Sequence, residues 1–236
     1  MVTRSNKQVD PNRSVLYQGS YAVWDASVYV RATTDFSAIF ERLSTKHIYA
    51  WVREGIASEY LTGRRGKDVF LTFLDLVTLR AVAAFRASGL TPKEIVLAHR
   101  VLCEEFQTAH PFATEKFWAG KHELIIKKQG RPMSVLRRWQ QAFEFLTEHL
   151  TPVHGLIFDS HDMASGWVPY GFRSVLFDPA IQFGEPCIKG TRIPTEAIWA
   201  FHDAGDSLED LALMYGKPVK VLKQALIWER RLQEVA

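Results

Sequence analysis

The pattern of hydrophobic and polar positions predicts helices over much of the chain. Phe73 to Ala87 is almost continuously apolar and stops before a glycine. The helix that follows, to about Phe106, opens on Thr91, Pro92 and Glu94, which are typical of an N-cap, a first-turn proline and a capping-box acid. These stretches predict two consecutive helices.

Two shorter helices are predicted before this pair. The segment that begins at Tyr21 places three apolar residues on one helical face: Val23, Ala26 and Val30. In the second helix, Ser44 or Thr45 is the predicted N-cap, Gly55 the predicted stop, and the apolar positions again have helical spacing: Ile48, Trp51 and Val52. The remaining faces of the second helix carry polar, aromatic and basic residues: Lys46, His47, Tyr49 and Arg53.

A basic stretch with two glycines follows, from Thr62 to Lys67. Apolar residues flank it on both sides, at Tyr60 and Leu61 and again from Val69 to Phe73. Glycines inside a basic run between apolar flanks predict a hairpin that lays its cations on a phosphate backbone. The cations are Arg64, Arg65 and Lys67.

The order helix, helix, basic hairpin and then LTFLDLVTLRAVAAFRASGLTPKEI resembles the winged-helix domain of MerR-type regulators, over roughly Tyr21 to Phe106. This resemblance implies a homodimer that reads paired DNA half-sites. It makes seven residues candidate DNA contacts: Lys46, His47, Tyr49, Arg53, Arg64, Arg65 and Lys67. The chain departs from the family between Val30 and Ser44, where a MerR protein has a tight turn. The alternative for this region is a helical domain whose basic loop is merely solvated.

The middle of the chain predicts short elements. A strand or small hairpin is expected around Gly120, from Ala113 to Trp118 and from Lys121 to Lys128, and a helix from Ser134 to His149. Further strands are predicted at 156–158, 167–168 and 174–177. We therefore divide the chain into a flexible arm (1–20), a winged-helix domain (21–112), a connecting region (113–173) and a helical domain (174–236).

The stretch FDPAIQFGEPCIKGTRIP, from Phe177 to Pro194, concentrates turn-forming residues. Its structural residues are glycines and prolines: Gly184, Pro186, Gly190 and Pro194. The triplet from Cys187 to Lys189 predicts an edge strand, and three polar side chains point outward: Lys189, Thr191 and Arg192. Three helices are predicted next, the first from Thr195 to Ala204, the second after a capping box at Ser207 and the third from Pro218.

This pattern resembles a small bacterial domain of unknown function, family 433, over roughly the last quarter of the chain. That family is known mainly as an antitoxin-associated domain, encoded beside toxins with a PIN-like ribonuclease fold. With the MerR-like front region, the whole chain resembles a VapB-type antitoxin that neutralises such a toxin and represses its own operon. The resemblance makes Lys189, Thr191 and Arg192 candidate toxin contacts. Of these, the basic side chains of Lys189 and Arg192 can mimic the charge of the toxin's metal ion.

Composition and charge narrow the picture further. With 47% hydrophobic and 12% aromatic residues, the chain can bury a sizeable core. Residues 1–150 carry 21 Lys and Arg against 15 Asp and Glu (+6), whereas residues 151–236 carry 8 against 11 (−3), which together give the net charge of +3. A basic front and an acidic rear favour nucleic acid in front and a different partner behind. The expected fold class is mostly α (α+β).

The sequence contains no motif of an enzyme, a metal site or a cofactor site. It lacks a GxxxxGK[ST] phosphate loop, a GxGxxG fingerprint and a CxxC pair, and Cys103 and Cys187 lie far apart. A polar start and the absence of a roughly 20-residue apolar run predict a cytoplasmic protein without a membrane segment.

Two other functions stay open at this point. One is a stand-alone dimeric MerR-like transcription regulator without a toxin partner. The other is a hydrolase that uses His161 and Asp162, although the run from Asp159 to Asp162 is also typical of a polar turn.

Overall fold

The computed structural model describes residues 19–33, 44–57, 61–62, 69–121, 137, 139–141 and 155–236. The front region begins with short helices and strands, which precede a pair of long helices. In chain order these are β1 (Tyr21–Ala22), α1 (Val23–Ala32), α2 (Thr45–Arg53), β2 (Leu61–Thr62), β3 (Val69–Leu71), α3 (Phe73–Ala87) and α4 (Pro92–Phe106).

The front strands form an antiparallel sheet in the order β1-β3-β2. Tyr21 lies opposite Leu71, and Leu61 lies opposite Phe70. The predicted first helix therefore begins two residues late, because Tyr21 and Ala22 pair with β3. The third strand ends at Leu71, since the next residue already caps α3.

Helix α3 is the central element of the fold, and it is buried on almost every face. At its start the Thr72 N–H donates to Asp75 Oδ2 (2.8 Å), and the Asp75 N–H donates back to Thr72 Oγ1 (3.2 Å). Farther along, the buried guanidinium of Arg80 lies 4.9 Å from the centre of the Trp167 ring. Both α3 and α4 have the predicted bounds.

The strand predicted from Ala113 to Trp118 is wrong. The structure has a 3₁₀ turn at Pro111–Ala113 and a π-helical turn at Phe117–Lys121. These turns bury Phe112 and Phe117 against Phe85, with ring centroids 5.3 Å and 6.1 Å away. An extended strand would place alternate residues on opposite faces, whereas both aromatic rings here enter the same core.

Two other predictions fall mostly outside the described residues. They are the strand at 122–128 and the helix from 134 to 149, of which the structure describes only residues 137 and 139–141. Within that helix the side chain of Trp139 is buried, as its apolar stripe predicts.

The rear region contains a second antiparallel sheet, in the order β4-β5-β6-β7, followed by three helices. The elements are β4 (Leu156–Phe158), β5 (Ala164–Trp167), β6 (Val175–Phe177), β7 (Pro186–Ile188), α5 (Thr195–Asp203), α6 (Leu208–Tyr215) and α7 (Val219–Val235). Strand β7 is at the edge of the sheet, as predicted. With two small sheets among the helices, the α+β class is confirmed.

The front and rear regions share one hydrophobic core. The Phe177 ring lies 5.1 Å from that of Tyr29 on α1 and 5.8 Å from that of Trp228 on α7. The Tyr21 hydroxyl donates to the Gly184 carbonyl (2.7 Å), and the Ser20 N–H donates to the Phe183 carbonyl (2.8 Å). A smaller cluster around Ile198 and Leu222 holds α5, α6 and α7 together.

The predicted arm, residues 1–20, lies outside the described residues except for Gly19 and Ser20. None of the helices that the structure describes is both long and apolar enough to cross a membrane.

Candidate nucleic-acid interface and C-terminal surfaces

Helix α2 presents the polar face that the sequence predicts. The side chains of Lys46, His47, Tyr49 and Arg53 are exposed, and Tyr49 keeps 41% of its surface accessible. Ile48, Trp51 and Val52 are buried on the opposite side, where they hold the helix against the core. The exposed face therefore combines two permanent cations with an aromatic ring and an imidazole.

His47 has a second role at the start of this helix. The Ser44 N–H donates to His47 Nδ1 at 3.2 Å, so the imidazole takes the place of the usual acid or amide in a capping box. The ring also lies beside Trp51, with centroids 6.3 Å apart. One ring nitrogen of His47 is thus used in capping the N-terminus of the helix.

The basic hairpin can be located only at its base. Strands β2 and β3 pair in antiparallel register, with Thr62 opposite Val69. Arg64, Arg65 and Lys67 lie in the intervening stretch, residues 63–68, which is outside the described residues.

The turn after β7 separates the three predicted toxin contacts into two kinds. Gly190 has a φ of +75°, which supports the predicted reversal. Thr191 closes the turn, because its hydroxyl donates to the Ile188 carbonyl (2.7 Å) and accepts from the Ile193 N–H (3.1 Å). The Thr191 hydroxyl therefore has a structural role in the turn, and its assignment as a toxin contact stays a prediction.

Lys189 and Arg192 have exposed side chains on either side of Gly190. Arg192 forms no ion pair with Asp178, although both residues are described; its carbonyl accepts from Gln182 Nε2 at 3.1 Å. The two cations are therefore available on one exposed turn.

The other glycine and the two prolines of the motif also have defined structural surroundings. Gly184 is buried with a φ of +91°, and a Cβ there would lie 2.2 Å from the Tyr21 hydroxyl oxygen. The Pro186 carbonyl accepts from Thr195 Oγ1 (3.1 Å), and Pro194 is the N-cap of α5. These contacts tie β7 to the start of α5.

A cleft of about 320 Å³ between α1 and α7 brings together carboxylates from four stretches of the chain. They are Asp25, Glu185, Glu196 and Glu229, and the rings of Trp24, Tyr29 and Trp199 also line the cleft. No ion pair joins any of these four carboxylates to a cation in the described portion of the chain. Among the described residues, no cluster of three or more His, Cys, Asp or Glu is arranged to hold a metal ion.

Burial and neighbouring acids raise the pKa values of three of these carboxyl groups, Glu229, Glu185 and Asp25. Burial raises the pKa of Glu229 to about 7, against the opposing effect of the hydrogen bond that Thr195 Oγ1 donates to Glu229 Oε1. Burial and the neighbouring acids Glu196 and Asp25 also raise the pKa of Glu185, and burial raises the pKa of Asp25. Three acids with raised pKa values therefore lie together where α1 of the front region faces α7 of the rear region.

The predictions from sequence did not include this cleft, although the sequence contains one signal of it. Glu229 stands at the helical spacing of Leu222, Ala225 and Leu226, the buried stripe of α7. A carboxylate in an apolar stripe indicates a buried acid.

The run from Asp159 to Asp162 is a polar turn. Asp159 Oδ1 accepts from the N–H groups of His161 (2.9 Å) and Met163 (3.0 Å), and the Asp162 carboxylate lies 3.4 Å from Lys116 Nζ. His161 and Asp162 line a cleft of about 360 Å³ with His110. The Ser160 hydroxyl lies 3.5 Å from His161 Nδ1, but Asp159 is used by the turn backbone and Asp162 faces Lys116, so neither acid of this run orients the imidazole.

The comparison with protein families concerns the rear region, which contains the glycines and prolines of the turn described above. Residues 175–225 match the family described as "Protein of unknown function (DUF433)". This confirms the resemblance that the sequence predicted for the last quarter of the chain.

The fold also resembles a solved protein over nearly its whole length. The X-ray crystal structure of Rv2018 from Mycobacterium tuberculosis superposes with a TM-score of 0.66 at 18% sequence identity, covering 87% of this chain and 96% of that one. Similarity at this identity concerns the fold. No curated protein matches the chain in sequence.

The DUF433-matching segment includes an exposed acidic and apolar face on α5 and α6. Leu213 is 84% exposed, Met214 55% and Phe201 43%. Between Thr195 and Gly216 the chain has five carboxylates and no Lys or Arg: Glu196, Asp203, Asp206, Glu209 and Asp210. We call the exposed surface of α5, α6 and their connecting loop the α5–α6 face.

Proposed function

We propose that the chain is a DNA-binding antitoxin that neutralises a PIN-like ribonuclease by direct binding and represses its own operon. The observation that carries this proposal is the presence, in one chain, of a DUF433-matching segment and a front region whose described residues have the element order β1-α1-α2-β2-β3. The first points to a toxin partner through the family resemblance, and the second points to DNA.

The front region supports DNA binding through its topology. In a winged helix-turn-helix, two helices follow the first strand, and the next two strands form a hairpin beside the second helix. Here α1 and α2 lie between β1 and β2, and β3 pairs with both strands. In this arrangement α2 is the recognition helix, its exposed face enters the major groove, and residues 63–68 form the wing.

The proposed DNA contacts divide by chemistry. Arg64, Arg65 and Lys67 act on phosphates, whereas Lys46, Tyr49 and Arg53 reach the groove from α2. Because helix-turn-helix proteins usually read paired half-sites about one helical turn apart, the proposed active form is a homodimer.

The rear region supports toxin binding through the exposed cations of the Gly190 turn. A PIN-like ribonuclease holds its metal with clustered carboxylates, and the side chains of Lys189 and Arg192 can supply a competing positive charge there. Thr191 keeps the turn closed behind them. The metal would belong to the toxin.

Two measurements test the two activities separately. Replacing Arg64, Arg65 and Lys67 by Ala should weaken binding to the chain's own promoter and lower the slope of log K against log salt by about one unit for each lost phosphate contact. Unchanged affinity with an unchanged slope would show that this stretch is not a DNA-binding wing.

The second measurement is a growth assay in which the chain is coexpressed with the ribonuclease encoded beside it. Arg192→Ala should leave the melting temperature and promoter binding unchanged while abolishing neutralisation, because the Arg192 side chain is exposed and alanine keeps the backbone carbonyl that accepts from Gln182. Full neutralisation by Arg192→Ala together with Lys189→Ala would exclude these cations as toxin contacts.

The alternative is a stand-alone dimeric MerR-like regulator in which the rear region only dimerises or senses a ligand. The exposed α5–α6 face is compatible with this alternative, because its acidic charge does not suit a second DNA-binding surface. A neighbouring gene for a small protein with several spaced acids favours the antitoxin, and an isolated gene favours the regulator.

A further inference from the structure

We propose that the α5–α6 face docks on the basic RNA-binding surface of the ribonuclease, so that neutralisation also blocks access of RNA. This inference rests on the function proposed above. Besides the contact through the Gly190 turn, it proposes a second contact, which binds a different surface of the ribonuclease.

The apolar portion of the face points away from the core. Leu213 lies two residues after the buried Leu211, which places it on the opposite side of α6, and it is 84% exposed. Its neighbour Met214 is 55% exposed, and Phe201 of α5 contacts Tyr215 of α6 with ring centroids 6.4 Å apart. Exposed Met and aromatic side chains of this kind are enriched where proteins bind one another.

The charged portion of the face selects the partner. Every residue from Ala200 to Ser207 is exposed, and the face carries four exposed carboxylates outside the cleft, Asp203, Asp206, Glu209 and Asp210, without a Lys or Arg. Glu209 precedes Leu213 by one helical turn, so a carboxylate borders the exposed leucine. A surface of this charge repels nucleic acid and attracts a cationic protein surface.

Charge complementarity favours the ribonuclease over a second copy of this chain. Two α5–α6 faces in a twofold dimer would bring four carboxylates against four, which is unfavourable. A ribonuclease, in contrast, must carry Lys and Arg along its RNA-binding groove to hold phosphates. The α5–α6 face therefore matches the one surface that every such enzyme has to expose.

The test measures the dissociation constant for the full-length chain and the purified ribonuclease encoded beside it. Leu213→Gln should weaken binding at least tenfold, and Asp206→Asn with Glu209→Gln should weaken it several-fold and reduce its salt dependence. The control is Ile227→Gln, which changes an aliphatic side chain of α7 that is 47% exposed and lies outside the face. It should bind within twofold of the unmodified chain. Equal melting temperatures would establish that all variants are folded.

A competition experiment tests the surface on the partner. A 2′-O-methyl RNA oligonucleotide, which the ribonuclease cannot cleave, should compete with the chain for the enzyme. Simultaneous binding of oligonucleotide and chain would overturn the inference.

Three further outcomes distinguish a failure of this inference from a failure of the proposed function. If Leu213→Gln and the double variant bind the ribonuclease as the unmodified chain does, the α5–α6 face is not the contact, while the antitoxin function stands. If Leu213→Gln instead turns a dimer into a monomer in light scattering and leaves ribonuclease binding intact, the face is a self-interface and the inference is wrong. If the unmodified chain does not bind the ribonuclease, the proposed function fails, and this inference fails with it.

Discussion

At the scale of single residues, Gly184 is a point of close contact between the front and rear regions. Its carbonyl accepts from the Tyr21 hydroxyl at 2.7 Å, and a Cβ would come within 2.2 Å of that hydroxyl oxygen and 2.8 Å of the ring carbon that bears it. Glycine is required here both by this contact and by a φ of +91°.

Gly184→Ala should therefore lower the free energy of unfolding by roughly 2 to 4 kcal/mol, as the sum of overpacking and left-handed backbone strain. Gly190→Ala is the matched control, because Gly190 also has a positive φ but nothing lies within 4 Å of its Cβ position. It should cost about 1 kcal/mol. Urea denaturation of both variants measures the difference, and equal losses would contradict the contact with Tyr21.

Glu229 makes the stability of the protein depend on pH. Its pKa is raised from 4.5 to about 7, mainly by burial, so the folded protein holds this proton over a range where the unfolded chain has lost it. Stability should consequently fall as pH rises from about 4.5 to about 7, by about 3 kcal/mol at 1.36 kcal/mol per pKa unit, and then level off.

Glu229→Gln removes this titration while keeping an acceptor for the Thr195 hydroxyl. The variant should melt at a higher temperature than the unmodified chain at pH 8 and at nearly the same temperature at pH 4. Glu234→Gln, on the exposed side of the same helix, serves as control and should leave the profile unchanged. A Glu229→Gln profile that falls as steeply as the original would show that Glu229 is not the buried acid responsible.

At the scale of elements, helix α2 depends on an unusual cap. The Ser44 N–H donates to the ring of His47, a position where Glu or Gln normally stands. His47→Ala should lower stability by about 1 kcal/mol, whereas His47→Gln should preserve it. Promoter affinity of His47→Gln should stay within twofold of the original if the cap is the main role of this residue. A tenfold loss of affinity in a fully stable His47→Gln protein would instead make His47 a direct DNA contact.

The helices could be predicted because their signals are local. Thr72, Thr91 and Ser207 begin α3, α4 and α6 with side-chain caps that are encoded within four residues. The strand at Tyr21 could not be predicted in the same way, because it depends on Leu71, fifty residues later. The turns around Phe112 and Phe117 were mistaken for a strand, since their shape is set by the core that both rings enter.

The candidate surfaces also divide into those set by local sequence and those set by contacts between distant parts of the chain. The exposed residues of α2 could be predicted from helical spacing, which is a property of one element. The carboxylate cleft could not be assembled from sequence, because Asp25 and Glu229 are 204 positions apart and meet only when α1 packs on α7. The hydrogen bonds of Thr191 to Ile188 and Ile193 could not be predicted from the sequence either, because they depend on the exact path of the turn.

At the scale of the whole molecule, the shared core predicts that the front and rear regions unfold together. Trp228 of α7 is fully buried against Phe172 and Phe177, and Phe177 also contacts Tyr29 of α1. Trp228→Ala should cost about 3 to 5 kcal/mol and should lower the stability of both regions equally.

Calorimetry provides the measurement. The unmodified chain and Trp228→Ala should each show one transition, with the calorimetric enthalpy equal to the van't Hoff enthalpy. Ile227→Ala, at the exposed neighbouring position, is the control and should shift the transition only slightly. Two separate transitions in Trp228→Ala, with only one of them displaced, would show that the two regions fold independently.

The bond between the Tyr21 hydroxyl and the Gly184 carbonyl has a consequence for protein engineering. A graft of the rear segment onto another DNA-binding domain would leave the Gly184 carbonyl without its donor and expose the side of Phe177 that Tyr29 covers. Such a chimera would need to bring β1 and α1 along, or replace Phe177 by a polar residue. The segment that a family match recognises is therefore shorter than the unit that can be transplanted.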